Sequence, residues 1–266
     1  SVLAGADMLL LPPEPAKVIA YLAAAVRDGR VPVARIDASA RRVLEAKAAL
    51  GLHRRRLVRI DELSRLVAPR AHLAQAAKAF ESATTLVRNE ASALPLDAAT
   101  GGEMVILSLS SDLGDFHAGQ PFVSALRARF PAARAYFADG DTGQDRLDEA
   151  FAAASAADTA VLALFSRLSD RKGSVDLEPR HVELVRGLVA PPDGPKVVVV
   201  SFGSPYFLRH FPEVDAYVCL YKNTAETQPI AARALCGEMD VTGKLPVPIP
   251  GLYPVGHGLE LNKRTL

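Results

Sequence analysis

At about 150 residues per domain, the 266 residues leave room for one full α/β-sized unit plus something smaller. Lys and Arg number 31 against 30 Asp and Glu, a formal net charge of +1, and that balance lacks the basic excess of a phosphate-tracking protein, so no nucleic-acid partner is expected. With 49% hydrophobic and 23% charged residues the chain can bury a sizeable core, while its longest apolar runs, such as 20–26, fall well short of the ~18 residues of a spanning helix, so no membrane partner is expected either. Residues 1–11 contain Asp7 and no basic stretch, unlike a secretory signal, and the compartment stays open. Cys219 and Cys236 are too few for a disulfide framework and do not form a CxxC clip; they read as two small apolar side chains.

In chain order, the run Ala6-Asp7-Met8-Leu9-Leu10-Leu11, stopped by Pro12-Pro13, predicts a buried strand. Val18, Ile19, Leu22 and Val26 then recur at helical spacing, with Pro15 near the start and Gly29 beyond the end. Asp37 predicts the cap of a second helix, with Ala40, Val43, Leu44, Ala48 and Leu50 on one face and Gly51 as its stop. One strand with two helices leaves both strand edges unpaired, so residues 1–52 are expected to be the end of a larger domain. The basic run His53-Arg54-Arg55-Arg56, with Arg59, lacks interleaved aromatics and reads as a solvated linker. Residues 61–83 are helical in pattern, capped by Asp61, broken at Pro69 and resuming through Leu73, Ala76, Ala77 and Phe80.

From residue 103 the alternation becomes regular. Candidate strands lie at 104–109, 134–138, 159–165, 196–202 and 215–220, with helical patterns at 120–130, 144–157, 178–190, 204–210 and 225–236. Five β-α units in series predict an α/β fold: a doubly wound, mainly parallel sheet in an α/β/α sandwich, covered on both faces. A short β-like segment at 84–87 precedes the series, and 245–249 follows it with Pro246 and Pro248 inside, which restricts it to an edge or an extended strap.

Ligands of open α/β sheets bind outside the C-terminal strand ends, which directs attention to loops 110–119, 139–143, 166–177, 203–204 and 221–224. Gly237 through Gly243-Lys244 fails as a phosphate loop, because five residues separate the glycines and Leu245 stands where Ser or Thr would hold magnesium. The segment Asp139-Gly140-Asp141-Thr142-Gly143 carries only the first two ligands of a calcium loop and reads as turn and capping chemistry. Ser204 follows a strong strand but lacks the flanking glycines of a nucleophile elbow; with Pro205 next it reads as a helix cap. No two histidines stand at metal-ligand spacing, and His117 is the one in a strand-end loop. Neither a metal nor a cofactor is expected.

Several phrases are more informative together. Ala4-Gly5-Ala6-Asp7-Met8-Leu9-Leu10, with Arg35-Ile36-Asp37-Ala38-Ser39-Ala40-Arg41-Arg42-Val43-Leu44, Lys47 and Gly51-Leu52, resembles the last strand and helices of the (β/α)8 barrel of family 3 glycoside hydrolases. Thr85-Leu86-Val87-Arg88-Asn89 with Leu94-Pro95-Leu96 resembles the start of that family's second domain. Gly237-Glu238, Thr242-Gly243-Lys244-Leu245-Pro246-Val247 and Tyr253-Pro254-Val255-Gly256-His257-Gly258-Leu259 are similar to its closing stretch. The resemblance implies a barrel remnant at 1–52, a helical linker at 53–83 and an α/β sandwich domain at 84–266, the whole packing against the rest of its own barrel. It also implies retaining hydrolysis of a terminal β-linked sugar, N-acetylglucosamine or glucose, with carbohydrate as the substrate of the complete parent protein.

Retaining chemistry needs a nucleophile and an acid/base about 5 Å apart. The family's nucleophilic aspartate comes from a barrel strand before the segment resembled here, and no residue of this sequence matches it, so the chain alone is expected to be inactive. In the glucosidase-like branch the second domain lends a glutamate acid/base from the loop after its third strand, and Asp170 stands near that place. It is one methylene shorter, and Arg171 and Lys172 beside it would favour its ionised form, whereas a general acid needs the reverse. Val200-Ser201-Phe202-Gly203-Ser204-Pro205-Tyr206 is similar to the N-acetylhexosaminidase-like branch, in which an Asp-His pair of the barrel does this work and Asp170 is only a neighbour of the site. A non-catalytic role, as a carbohydrate-binding or supporting domain, is the alternative function.

Overall fold

The computed structural model describes residues 1–99, 102–112, 114, 118–166 and 176–264. The chain divides into two compact units, Ser1–Pro69 and Arg70–Leu266.

In the first unit, α1 (Pro15–Arg27) opens with proline at its first position, where the missing N–H costs nothing, and carries Arg27 in its last turn. Helix α2 (Val33–Ala49) begins a turn before the expected cap: Pro32, held extended, is the N-cap and Asp37 lies inside the helix. It ends as expected, with Gly51 at φ +70°. The predicted strand at 6–11 does not form. It has no ladder partner among the described residues, and Leu10 and Leu11 are 88% and 86% exposed; an apolar run becomes a strand only when another strand satisfies its backbone. Asp7 is instead a clamp, its Oδ1 accepting from Arg35 at 2.9 Å, Ser39 at 2.8 Å and Arg42 at 2.9 Å. The Ser39 hydrogen bond, followed by that of Arg35, holds the Asp7 carboxyl down to about 2. A 3-10 turn over Ile60–Glu62 and the short helix α3 (Leu63–Leu66) follow, the chain breaking before Pro69.

The second unit starts with α4 (Arg70–Ala83) and contains β1 (Thr85–Asn89), β2 (Met104–Ser110), α5 (Gln120–Arg127), β3 (Arg134–Ala138), α6 (Gln144–Ser155), β4 (Thr159–Phe165), α7 (Pro179–Val189), β5 (Lys196–Ser201), β6 (Ala216–Cys219) and α8 (Thr227–Leu235). The six strands form one sheet in the order β1-β6-β5-β4-β2-β3. Every pair is parallel except β1 with β6, which is antiparallel and carries a register shift between Leu86 and Arg88. The parallel series matches the expectation; the segment between β5 and β6, however, is a 3-10 helix (Pro205–His210).

All seven residues of β2 and of β4 are buried, which is why these strands read as unbroken apolar runs. Their alternate side chains enter two cores. Ile106, Val161, Ala163 and Phe165 pack with Phe122 of α5 and Ile230 of α8 on one face. Leu107, Leu109, Leu162 and Leu164 pack with Leu147 of α6 and Val185 of α7 on the other. The stretch 245–249 is a strap and not a strand: Pro246 and Pro248 have no N–H to donate, and it forms only the isolated bridge of Ile249 with Tyr253. Through the bridge of Leu86 with Leu259 the closing segment covers the outer edge of β1, the edge that would otherwise invite pairing with another chain.

Candidate functional site

The chain leaves β2 to build β3 on one side, then crosses to β4 on the other, so the order of strands reverses between β2 and β4. The crevice outside their C-terminal ends is where a sheet of this kind receives a ligand. Its floor is polar. Ser110, Ser111 and Asp112 are all buried; Ser111 N–H donates to Phe165 O at 2.9 Å, tying the ends of the two strands together. Ser110 Oγ accepts from Asp112 N–H at 3.3 Å, and Ser111 Oγ accepts from Glu178 N–H at 2.8 Å, which fixes the start of α7 to the end of β2. Beyond β4, Ser166 Oγ donates to Asp176 O at 3.4 Å, and the Asp176 carboxylate meets His210 Nε2 at 2.7 Å.

Beneath this floor lies an aromatic layer. The rings of Phe165 and Phe202 stack at 4.6 Å, and Phe122 meets Phe202 edge-on at 5.5 Å. Gly119, at φ +82°, ends the loop after β2 where a Cβ would strike Ser108 Oγ and stand 2.8 Å from the Phe165 ring, so no larger residue fits. Gln228 of α8 accepts from the buried N–H of Phe122 at 3.2 Å and donates to Asn223 at 2.9 Å, joining the loop after β6 to the first turn of α5. Tyr221, at φ +60°, donates its hydroxyl to Thr85 Oγ1 at 2.8 Å, and burial pushes its pKa up to about 12.

Of the residues singled out in the sequence, Asp170 and His117 lie outside the described residues. Ser204 is a cap, its side chain accepting from Tyr206 N–H at 3.2 Å. Asp139 and Thr142 form a turn: Thr142 Oγ1 donates to Asp139 Oδ1 at 2.9 Å and accepts from Asp139 N–H at 2.8 Å. Gly243 is a close backbone approach, its N–H donating to Thr84 O at 3.2 Å. Both cysteines are free, Cys219 buried and Cys236 half-buried. Among the described residues no group of three or more His, Cys, Asp or Glu could hold a metal ion. Sequence reasoning missed His181, which is completely buried on α7. Its signal was present: 181, 184, 185 and 188 lie on one helical stripe whose other members are apolar.

Residues 84–256 match the glycosyl hydrolase family 3 C-terminal domain. The chain belongs to this family. A β-N-acetylglucosaminidase/β-glucosidase of Cellulomonas fimi is 27% identical over 259 residues, 92% of this chain and 44% of that protein. The fold recurs in a family 3 β-N-acetylglucosaminidase from Paenibacillus sp., with a TM-score of 0.73 at 21% identity over 93% of this chain and 46% of the other. It recurs also in a β-glucoside phosphorylase bound to 2FGlc, with a TM-score of 0.71 at 19% identity over 94% of this chain and 44% of the other. The chain thus spans less than half the length of these relatives. The mostly parallel six-stranded sheet with its flanking helices is the α/β sandwich of the family 3 C-terminal domain in this sequence.

Proposed function

We propose that this chain is the C-terminal part of a retaining, exo-acting glycoside hydrolase that cleaves terminal β-linked sugars, N-acetylglucosamine or glucose. The observation that carries the reading is the 27% identity to the Cellulomonas fimi enzyme over 92% of the chain, a span too long to fall within one unit. In this reading residues 1–52 are the last part of a (β/α)8 barrel, 53–83 a helical linker and 84–266 the sandwich domain. The exposure of Ile19 at 67%, Tyr21 at 71%, Leu44 at 63% and Leu50 at 75% supports it, since so many exposed large apolar side chains in one short unit suit a segment meant to be covered.

The nucleophile then comes from the parent's barrel, and the chain alone turns over nothing. Aryl β-N-acetylglucosaminide and aryl β-glucoside should be cleaved by the full-length parent and left intact by the 266-residue chain. Turnover by the isolated chain would remove the claim of inactivity, and a parent inert toward both substrates would remove the glycosidase reading. Asp170 is the residue of this chain offered for the acid/base role. In the parent, Asp170→Asn should lower the rate by about 100-fold or more if it is the acid/base; a full rate would assign proton transfer elsewhere and leave Asp170 a neighbour. Sugar binding by the isolated chain without cleavage would favour the alternative, a binding or supporting domain.

A further inference from the structure

His181 is the third residue of α7 and is completely buried. Among the described residues its two ring nitrogens are the buried side-chain nitrogen or oxygen atoms that lack a hydrogen-bond partner. A neutral imidazole there forgoes one donor and one acceptor; a protonated one would hold two donors and a full charge with no acceptor. The site is also the N-terminal turn of a helix, whose free N–H groups oppose a cation.

Two charged groups act on the ring. Arg180, beside it on α7, opposes protonation, and Asp139, at the end of β3, favours it. Asp139 Oδ1 is already engaged, accepting from Thr142 Oγ1 at 2.9 Å and from Asp141 N–H at 3.1 Å. The same turn of α7 is a fastening point. Arg180 donates to Gly140 O and to Thr142 O, each at 2.9 Å, and Glu178 N–H donates to Ser111 Oγ. While the turn stays fastened the ring is fully buried and meets no water.

We propose that His181 is an acid-sensitive latch, whose protonation releases the first turn of α7 and with it Ser111 and the turn 139–143 to which it is fastened. Burial, followed by Arg180, holds the His181 imidazole down to about 4 against an ordinary 6.5. The released turn binds a proton that the fastened one refuses, so release is favoured as the pH falls below 6.5 and the gain is complete below about 4. At pH 5 the released population rises about 30-fold over its value at pH 7.5. The inference is independent of any sugar chemistry, and its test reads structure and not turnover.

Hydrogen exchange of the full chain, corrected for intrinsic rates, should show segments 177–186 and 139–143 losing about 30-fold in protection between pH 7.5 and pH 5, while β4 and β5 keep theirs. His181→Leu and His181→Gln should each remove the pH dependence. Unchanged protection in the wild type, an equal loss in the variants, or a loss shared uniformly with β4 and β5 would overturn the latch. Should neither variant fold, NMR titration of the wild-type ring still decides: a midpoint near 4 is expected, and one at the ordinary 6.5 overturns the inference.

Discussion

Replacing Gly243 by alanine should destabilise the second unit by about 2–4 kcal/mol. A Cβ at this position would stand 2.8 Å from Ala83 O and closer still to Thr84 O. Both are backbone atoms at the junction of α4 and β1, so no side-chain rotation relieves the clash and the strap itself must move. Displacement breaks the Gly243 N–H bond to Thr84 O at 3.2 Å and strains the neighbouring bond from Leu259 N–H to Leu86 O at 2.7 Å. Overpacking costs about 1–3 kcal/mol, and each lost backbone bond adds about 1 kcal/mol. Urea unfolding followed by far-UV circular dichroism measures the loss as a lowered midpoint at unchanged slope. Gly143→Ala is the control: its Cβ meets nothing within 4 Å, and it should cost under about 1 kcal/mol. If Gly243→Ala proved no more costly than Gly143→Ala, the close approach of strap and edge strand would not be what this glycine serves.

Removing the Phe202 ring by Phe202→Ala should cost about 3–5 kcal/mol, because it strips the stack on Phe165 and the edge contact with Phe122 together; a loss below about 1 kcal/mol in calorimetry would mean that the layer refills freely. The first unit should lose stability as the pH falls from 3.8 through about 2, since the folded Asp7 carboxyl is held below its ordinary value and its contribution is complete only above the upper limit. Asp7→Asn should flatten that acid profile, and a variant profile superimposable on the wild type would refute the clamp. Burial pushes the Cys236 thiol up to about 11 and the fully buried Cys219 higher still. The native chain at pH 8 should therefore react with Ellman's reagent only slowly, and both thiols should react at once in urea; a rapid native reaction would contradict their burial.

The sequence by itself determined the parallel series of strands and helices, because β2, β4 and β5 are buried on both faces and such burial leaves continuous apolar runs that recur between stretches of helical period. It also determined the stop of α2 at Gly51, the break near Pro69 and the restriction of 245–249 to an edge or a strap by Pro246 and Pro248, each a constraint carried by a residue's own backbone. Pairing is a different matter, since a strand's partner lies far along the chain. The antiparallel approach of β1 to β6, the absence of a ladder for 6–11 and the closeness of Gly243 to Thr84 were decided only by the tertiary structure. His181 shows the same division in one residue: helical periodicity places it on a buried stripe, but that its ring meets no partner there depends on what the folded chain brings against it.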